Sequence, residues 1–328
     1  MILHNKLYKF ISLFIKLVIV VTAFGFIYKK IFHRKDIDSI QQSLQLLISS
    51  GTYVYLFPIF LLMFLNWMIE ALKWKILIQP MKELSLINSF KAVLSGVTVS
   101  IFTPNRIGEF GGRIFFLEAS LRIKGILLTM IGSISQLLIT IAGGLLALLF
   151  YPEYSVIKSQ PNQYIYYTVV IFCLILVFLL MALYINTSFL SKAIQEVSWM
   201  NRIKKYTDIF SYHSSLKLSG IVLLSGFRYL VFCIQFYLLL QIFDVNIAFS
   251  GSMVMIALTF FAISVIPTVA FTELGVRGAT ALVFIGILST NHVGIVSASF
   301  ALWVINIALP ALMGIPFVFK WHFFNRKF

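Results

Sequence analysis

Charge is scarce in this chain. Only 11% of its 328 residues are charged, and just 11 are acidic. A soluble domain of this size carries about a quarter of its residues as Asp, Glu, Lys or Arg to cover its surface. Cysteine is rarer still. Cys173 and Cys233 both sit inside apolar runs, without metal-ligand spacing or a disulfide role. The five histidines (His4, His33, His213, His292 and His322) are dispersed, and no His-x-x-x-His or Cys–His cluster occurs. Gly-x-Ser-x-Gly, a Walker-type phosphate loop and an Asp-rich Mg²⁺ motif are all missing. Redox, metal and nucleophilic chemistry therefore have no support. The chain is expected not to be an enzyme and to need no cofactor or metal.

Hydrophobicity is what the chain has in quantity. Sixty per cent of its residues are hydrophobic, and the mean hydropathy is +0.97. Apolar runs at 10–27, 53–69, 125–150, 164–185, 218–240 and 294–319 approach or exceed the roughly 20 residues that cross a bilayer. The expected fold class is an all-α polytopic membrane protein. The first run is interrupted by Lys16, lacks a small-x-small cleavage pattern, and ends at Tyr28-Lys29-Lys30. It reads as a span rather than a cleaved signal peptide. The net charge of +15 is spread over loops. In a membrane protein this reports loop orientation and anionic lipid, so nucleic acid is not an expected partner.

Two further apolar segments are too polar or too broken for ordinary spans. Residues 86–103 carry Asn88, Ser89, Lys91, Ser95, Thr98 and Ser100 and then meet Pro104. Residues 251–266 meet Pro267 and are followed by a short apolar piece at 279–288. Both read as re-entrant hairpins, and non-helical backbone at membrane depth is tolerated only inside protein or along a wet cavity. With six spans and two hairpins, 19 of the 26 Lys and Arg residues fall on the side of the N-terminus and five on the other, while Arg228 and Arg277 lie at membrane depth. The positive-inside rule then places both termini in the cytoplasm and the protein in the inner membrane. Residues 28–52, external in this scheme, hold four basic residues against the trend.

A motif is repeated at half the chain length. Glu109-Phe110-Gly111-Gly112-Arg113 returns 164 residues later as Glu273-Leu274-Gly275-Val276-Arg277. The same offset superimposes 53–69 on 218–240, 86–103 on 251–266 and 125–150 on 294–319. A single membrane domain of two half-repeats, about 1–160 and 161–328, follows, and three spans plus a re-entrant element invert one half relative to the other. Substrate sites of many carriers lie between such halves. Pro104 ends a helix and frees carbonyls. Gly108, Gly111 and Gly112 allow close backbone approach. Arg106 and Arg113 are fork-shaped donors suited to phosphate, and Glu109 shares a helical face with Arg113. The candidate substrate-binding residues are Pro104, Asn105, Arg106, Glu109, Arg113, Arg228, Pro267, Glu273 and Arg277. A structural ion pair is the competing reading of each Glu–Arg pair, and of Arg228. Glu118 and Arg122 read as a solvated or interfacial pair on an amphipathic stretch at 114–124. Trp67, Glu70, Lys73, Trp74 and Lys75 read as an interfacial anchor at a span end, without chemistry.

Pro104-Asn105-Arg106-Ile107-Gly108-Glu109-Phe110-Gly111-Gly112-Arg113, Trp74-Lys75, and Ile266-Pro267 with Glu273-Leu274-Gly275-Val276-Arg277 together resemble the flippase-like membrane domain of lysylphosphatidylglycerol synthases and its stand-alone relatives. One departure is Gly278, where the family's second motif leads one to expect another acidic residue. The resemblance implies movement of phospholipid or polyprenyl-linked glycolipid headgroups across the bilayer. The synthases' soluble aminoacyl-transfer domain has no counterpart here, so synthase activity is not expected. Membrane lipids are the expected partners, with a homo-oligomer or an envelope-biosynthesis protein beside them. Two other functions fit the same residues: proton-coupled carriage of a small anionic solute, and a non-transporting accessory role beside an envelope glycosyltransferase.

Overall fold

The computed structural model describes residues 52–101, 103, 106–154, 163–186, 212–266 and 273–319, together with Phe14 and Val21. The rest of the expected first span, the loop after it, most of the 186–217 loop, and the candidate site residues Pro104, Asn105 and Pro267 lie outside these. Among the described residues every regular element is helical. Among the same residues, five helical stretches are long and apolar enough to cross a membrane.

Helix α1 (Leu56–Ile78) starts with Pro58 in its first turn, where the missing N–H costs nothing. Ile59, Met63, Asn66, Trp67, Glu70, Ala71, Trp74 and Leu77 are buried at helical spacing. Phe57, Phe60, Leu61, Phe64 and Leu65 are exposed on the opposite face. The helix therefore turns its charged side inward and its apolar side to lipid. It runs nine residues beyond the expected end at 69, because Glu70 and Lys73 are buried in protein and need no aqueous interface.

Helix α2 (Leu86–Ser100) is capped by Ser85, whose hydroxyl accepts from the Asn88 N–H at 3.2 Å. Helix α3 (Gly108–Ile114) doubles back along it. At 15 and 7 residues, neither crosses a bilayer alone. Glycine makes the close crossing possible. A Cβ on Gly112 would meet Gly96 Cα at 2.4 Å, and one on Gly108 would meet the Val99 carbonyl oxygen at 2.5 Å. Small residues are the usual means of close helix contact where lipid supplies no hydrophobic drive. Gly111 faces open space and takes no part. The hydroxyls of Ser95, Thr98 and Ser100 donate to carbonyls one turn back, which satisfies them without water.

After the hairpin the chain forms α4 (Arg122–Phe150) and α5 (Gln163–Ile185). The expected amphipathic helix over 114–124 is broken: Glu118 has extended backbone, and the Arg122 guanidinium lies 4.9 Å from the Phe115 ring centroid. Helix α6 (Ser215–Ile242) precedes a second pair of short helices, α7 (Phe249–Val265) and α8 (Glu273–Ile285), packed on each other. The last span is α9 (His292–Trp303), a π-helical stretch Val304–Ala308, and α10 (Leu309–Val318) with Pro310 near its start.

The order long helix, short hairpin, long helix thus occurs twice. The contacts are reciprocal: α1 packs on α6, α2 on α10 and α7 on α4. Each hairpin is held by the closing span of the other half, so any site between the hairpins is built from both halves.

Candidate functional site

The centre of the protein holds a buried charge cluster whose hub is Glu70, 5% exposed. Arg113 donates from Nη2 to Glu70 Oε1 at 2.8 Å, and Arg228 from Nη1 to Oε2 at 2.7 Å. Lys73 Nζ lies 3.4 Å from Oε2 and donates to the Gly132 carbonyl at 3.2 Å. Arg113 is also paired with Glu109, one turn back on α3. One carboxylate on α1 therefore ties together the first hairpin, the second half's long helix α6, and α4. A charge buried in this way persists only when its partners are buried with it. The interfacial-anchor reading of Glu70, Lys73, Trp67 and Trp74 is corrected here. Lys73 is 1% and Trp74 0% exposed, and the Trp74 indole donates to Thr129 Oγ1 at 3.1 Å.

A polar ladder continues from the hub. Arg228 Nε donates to Asn66 Oδ1 at 2.7 Å, and Asn66 donates to Asn306 Oδ1 at 3.3 Å. Asn306 donates to Gln235 Oε1 at 2.8 Å, and Gln235 to the Ile59 carbonyl at 2.9 Å. Asn306 sits within the π-helical stretch. A π turn inside an α-helix is a local irregularity frequent at functional sites. Here it carries a buried amide against two other helices.

Beside the ladder lies a cavity of ≈ 230 Å³. It is lined by Arg106 at the turn of the first hairpin, Arg228 on α6 and Arg277 on α8, together with the apolar Phe232, Phe260, Ile263 and Ile307. Arg228 stacks over Trp67 and Phe232, 5.3 and 5.5 Å from their ring centroids, which holds its guanidinium flat. Arg277 is paired with Glu273 at 2.9 Å. Arg106 has a positive φ of 57°, a conformation that costs an L-residue about 1–2 kcal/mol. Its turn is fastened by Thr103, whose hydroxyl donates to the Ser100 carbonyl and accepts from the Gly108 N–H at 2.8 Å.

Six polar atoms of the lining are buried without a hydrogen-bond partner: Nε and Nη2 of Arg106, Nε1 of Trp67 and of Trp303, the Tyr229 hydroxyl, and Oε1 of Gln136. Orphaned buried donors are costly and uncommon. Five of these six atoms can donate, and three of the lining residues are arginines. Among the described residues, no carboxylate lines the cavity. Such a surface is complementary to an anion with hydrogen-bond acceptors.

The two copies of the repeated motif do different work. Both form their i,i+4 ion pair at the start of a short helix. Arg113 is spent between two carboxylates and lies off the cavity lining, whereas Arg277 is on it. Of the candidate residues described, Arg106, Arg228 and Arg277 converge on the cavity, and Glu109, Arg113 and Glu273 do not line it but form ion pairs. Sequence reasoning missed Asn66, Glu70, Gln136, Gln235 and Asn306. For Glu70 a signal was present: positions 66, 70 and 73–74 share one face of α1 with buried Ile59 and Met63.

Compared with known families, residues 13–320 match the lysylphosphatidylglycerol synthase TM region, and the chain belongs to that family. No curated protein and no solved structure matches it. The chain is a multi-pass membrane protein whose family is related to lipid modification or transport.

Proposed function

We propose that this protein is a flippase-like transporter of the cytoplasmic membrane, moving an anionic phospholipid or polyprenyl-linked lipid between leaflets, without catalysis and without a cofactor. The observation that carries the reading is the convergence of Arg106, Arg228 and Arg277 on one cavity with unpartnered buried donors around them. The cavity lining combines arginines with apolar side chains, which suits a phosphate headgroup entering while the tails stay in lipid. The reciprocal packing of hairpins and spans supports two inverted half-repeats whose relative movement exposes the cavity to each leaflet in turn. Arg113, Glu70 and Lys73 form the rigid seat on which Arg228 is held.

Translocation of tail-labelled anionic lipid in proteoliposomes, followed by dithionite quenching, tests this. Arg106→Gln and Arg277→Gln are expected to slow translocation about ten-fold each, corresponding to the loss of roughly 1.4 kcal/mol of headgroup interaction. If both variants fold and translocate at the wild-type rate, the cavity is not the lipid path.

A further inference from the structure

One buried asparagine fixes which nitrogen of Arg228 is left for the cavity. Pro310 has no N–H, so the Asn306 carbonyl four residues earlier cannot be closed as in an α-helix. The Leu309 N–H instead reaches back five residues to the Val304 carbonyl, which makes the π turn. The Asn306 side chain on that turn is buried and bonded to both α1 and α6. Its two N–H groups are both committed, to Gln235 Oε1 at 2.8 Å and to the Leu302 carbonyl at 3.2 Å. A carbonyl only accepts, so the second contact fixes which way the amide faces and turns Oδ1 to Asn66. Asn66 donates to that oxygen and keeps its own for Arg228 Nε. The far end agrees, because a guanidinium only donates and Asn66 must meet it with oxygen. Turning over either asparagine would set N–H against N–H and oxygen against oxygen inside a buried ladder.

We infer that Asn306 is a positioning residue for Arg228, acting through Asn66 and making no hydrogen bond to the guanidinium itself. Trp67 and Phe232 set the plane of that guanidinium. Glu70 holds Nη1 and Asn66 holds Nε. Two held nitrogens in a set plane leave no freedom to turn, and among the described residues Nη2 has no protein partner. Arg228 lines the cavity and Nη2 is not one of the buried orphans, so the cavity reaches it. Asn306 borders the same cavity but has no N–H left for an anion. Its contribution to anion binding therefore passes through Arg228. This rests on the reading that the cavity takes an anionic headgroup, and it adds how one of the three arginines is aimed.

A double-mutant cycle between Asn306→Leu and Arg228→Gln, in the full-length protein in mixed micelles, tests the link. Two quantities are measured: the folding equilibrium constant without added lipid, and the affinity for phosphatidylglycerol as thermal protection. Without lipid, the two substitutions are expected to be non-additive by about ten-fold in that constant, the coupling of residues in one hydrogen-bond network. With lipid, Asn306→Leu is expected to weaken binding about five-fold when Arg228 is present, and by less than about two-fold in the Arg228→Gln background. A loss of packing alone lowers stability without that dependence on Arg228. Asn306→Ala, which adds no bulk, takes the place of Asn306→Leu in both cycles if the latter does not fold. Additive effects on folding, an affinity that the Asn306 substitution leaves unchanged, or an affinity loss of equal size in both backgrounds overturns the inference. Coupled folding without lipid binding by wild type upholds the positioning of Arg228 and overturns the lipid reading instead.

Discussion

Replacing Glu70 by Gln is the sharpest perturbation this structure offers, because one carboxylate compensates three cations. Its oxygens lie 2.8 Å from Arg113, 2.7 Å from Arg228 and 3.4 Å from Lys73. At an effective dielectric constant near 20, each contact is worth roughly 5–6 kcal/mol of Coulomb attraction before desolvation is subtracted. The buried cluster holds three cations and two carboxylates, so Glu70→Gln leaves three cations facing Glu109 alone. The amide still accepts from one guanidinium and turns its NH₂ toward another. The expected net loss is about 3–5 kcal/mol of stability, the usual result of orphaning a buried charge. Reversible unfolding in mixed micelles, followed by circular dichroism, measures it.

Two companions make the test discriminating. Glu109→Gln removes a carboxylate that is 21% exposed and leaves Arg113 its bond to Glu70, so it is expected to cost about 1 kcal/mol. The double variant Glu70→Gln with Arg228→Met is expected to be more stable than Glu70→Gln alone, because the stranded cation is removed together with its partner. A Glu70→Gln loss below about 1 kcal/mol, or one equal to that of Glu109→Gln, refutes the hub assignment.

The remaining expectations concern the first hairpin and the end of α1. Gly112→Ala places a methyl 2.4 Å from Gly96 Cα and is expected to cost roughly 1–3 kcal/mol in the same unfolding assay. Gly111→Ala meets nothing and is expected to stabilise by about 0.5–1 kcal/mol. At Arg106, where φ is 57°, Arg106→Gly is expected to be about 1 kcal/mol more stable than Arg106→Ala, while both translocate lipid equally slowly. His213 lies outside the spans, buried against α1, with Nε2 3.0 Å from the Leu77 carbonyl. Burial lowers its pKa below the ordinary histidine value, so the folded state resists protonation more than the unfolded chain does. Its stabilisation is complete above about pH 6.5 and falls as pH drops through the lowered folded value. A stability profile recorded between pH 5 and 8 is expected to lose that acid-side decline in His213→Gln; an unchanged decline assigns it to other groups.

What the sequence disclosed, and what it withheld, follows from the two kinds of solvent the chain meets. Apolar runs report lipid, so the five described spans and both pairs of short helices were legible from hydropathy and from the proline breaks. The repeated Glu-x-Gly-x-Arg was legible as a pair of ion pairs at helix starts, because i,i+4 spacing on a helix needs no tertiary information. Its division of labour was not. Whether an arginine is spent on a carboxylate or left to line a cavity depends on residues more than 40 positions away, as Glu70 is from Arg113. Glu70 and Lys73 were misassigned for a related reason. At the end of an apolar run, charge next to tryptophan has the composition of a membrane interface. What separates a buried hub from an interfacial anchor is angular position, not composition. Asn66, Glu70 and Trp74 lie on the face of α1 that also buries Ile59 and Met63, while Phe57, Phe60 and Phe64 occupy the lipid face. In a bilayer the face opposite the phenylalanines is the protein-facing one, so a charge found there points inward and requires a partner. Applied to α6, the same argument holds. Arg228 lies one turn from buried Ser225 and from buried Val231, while Phe227 and Leu230 beside it are exposed. Angular position thus identifies both members of the central pair, and only their distance of 158 residues in sequence concealed that they meet.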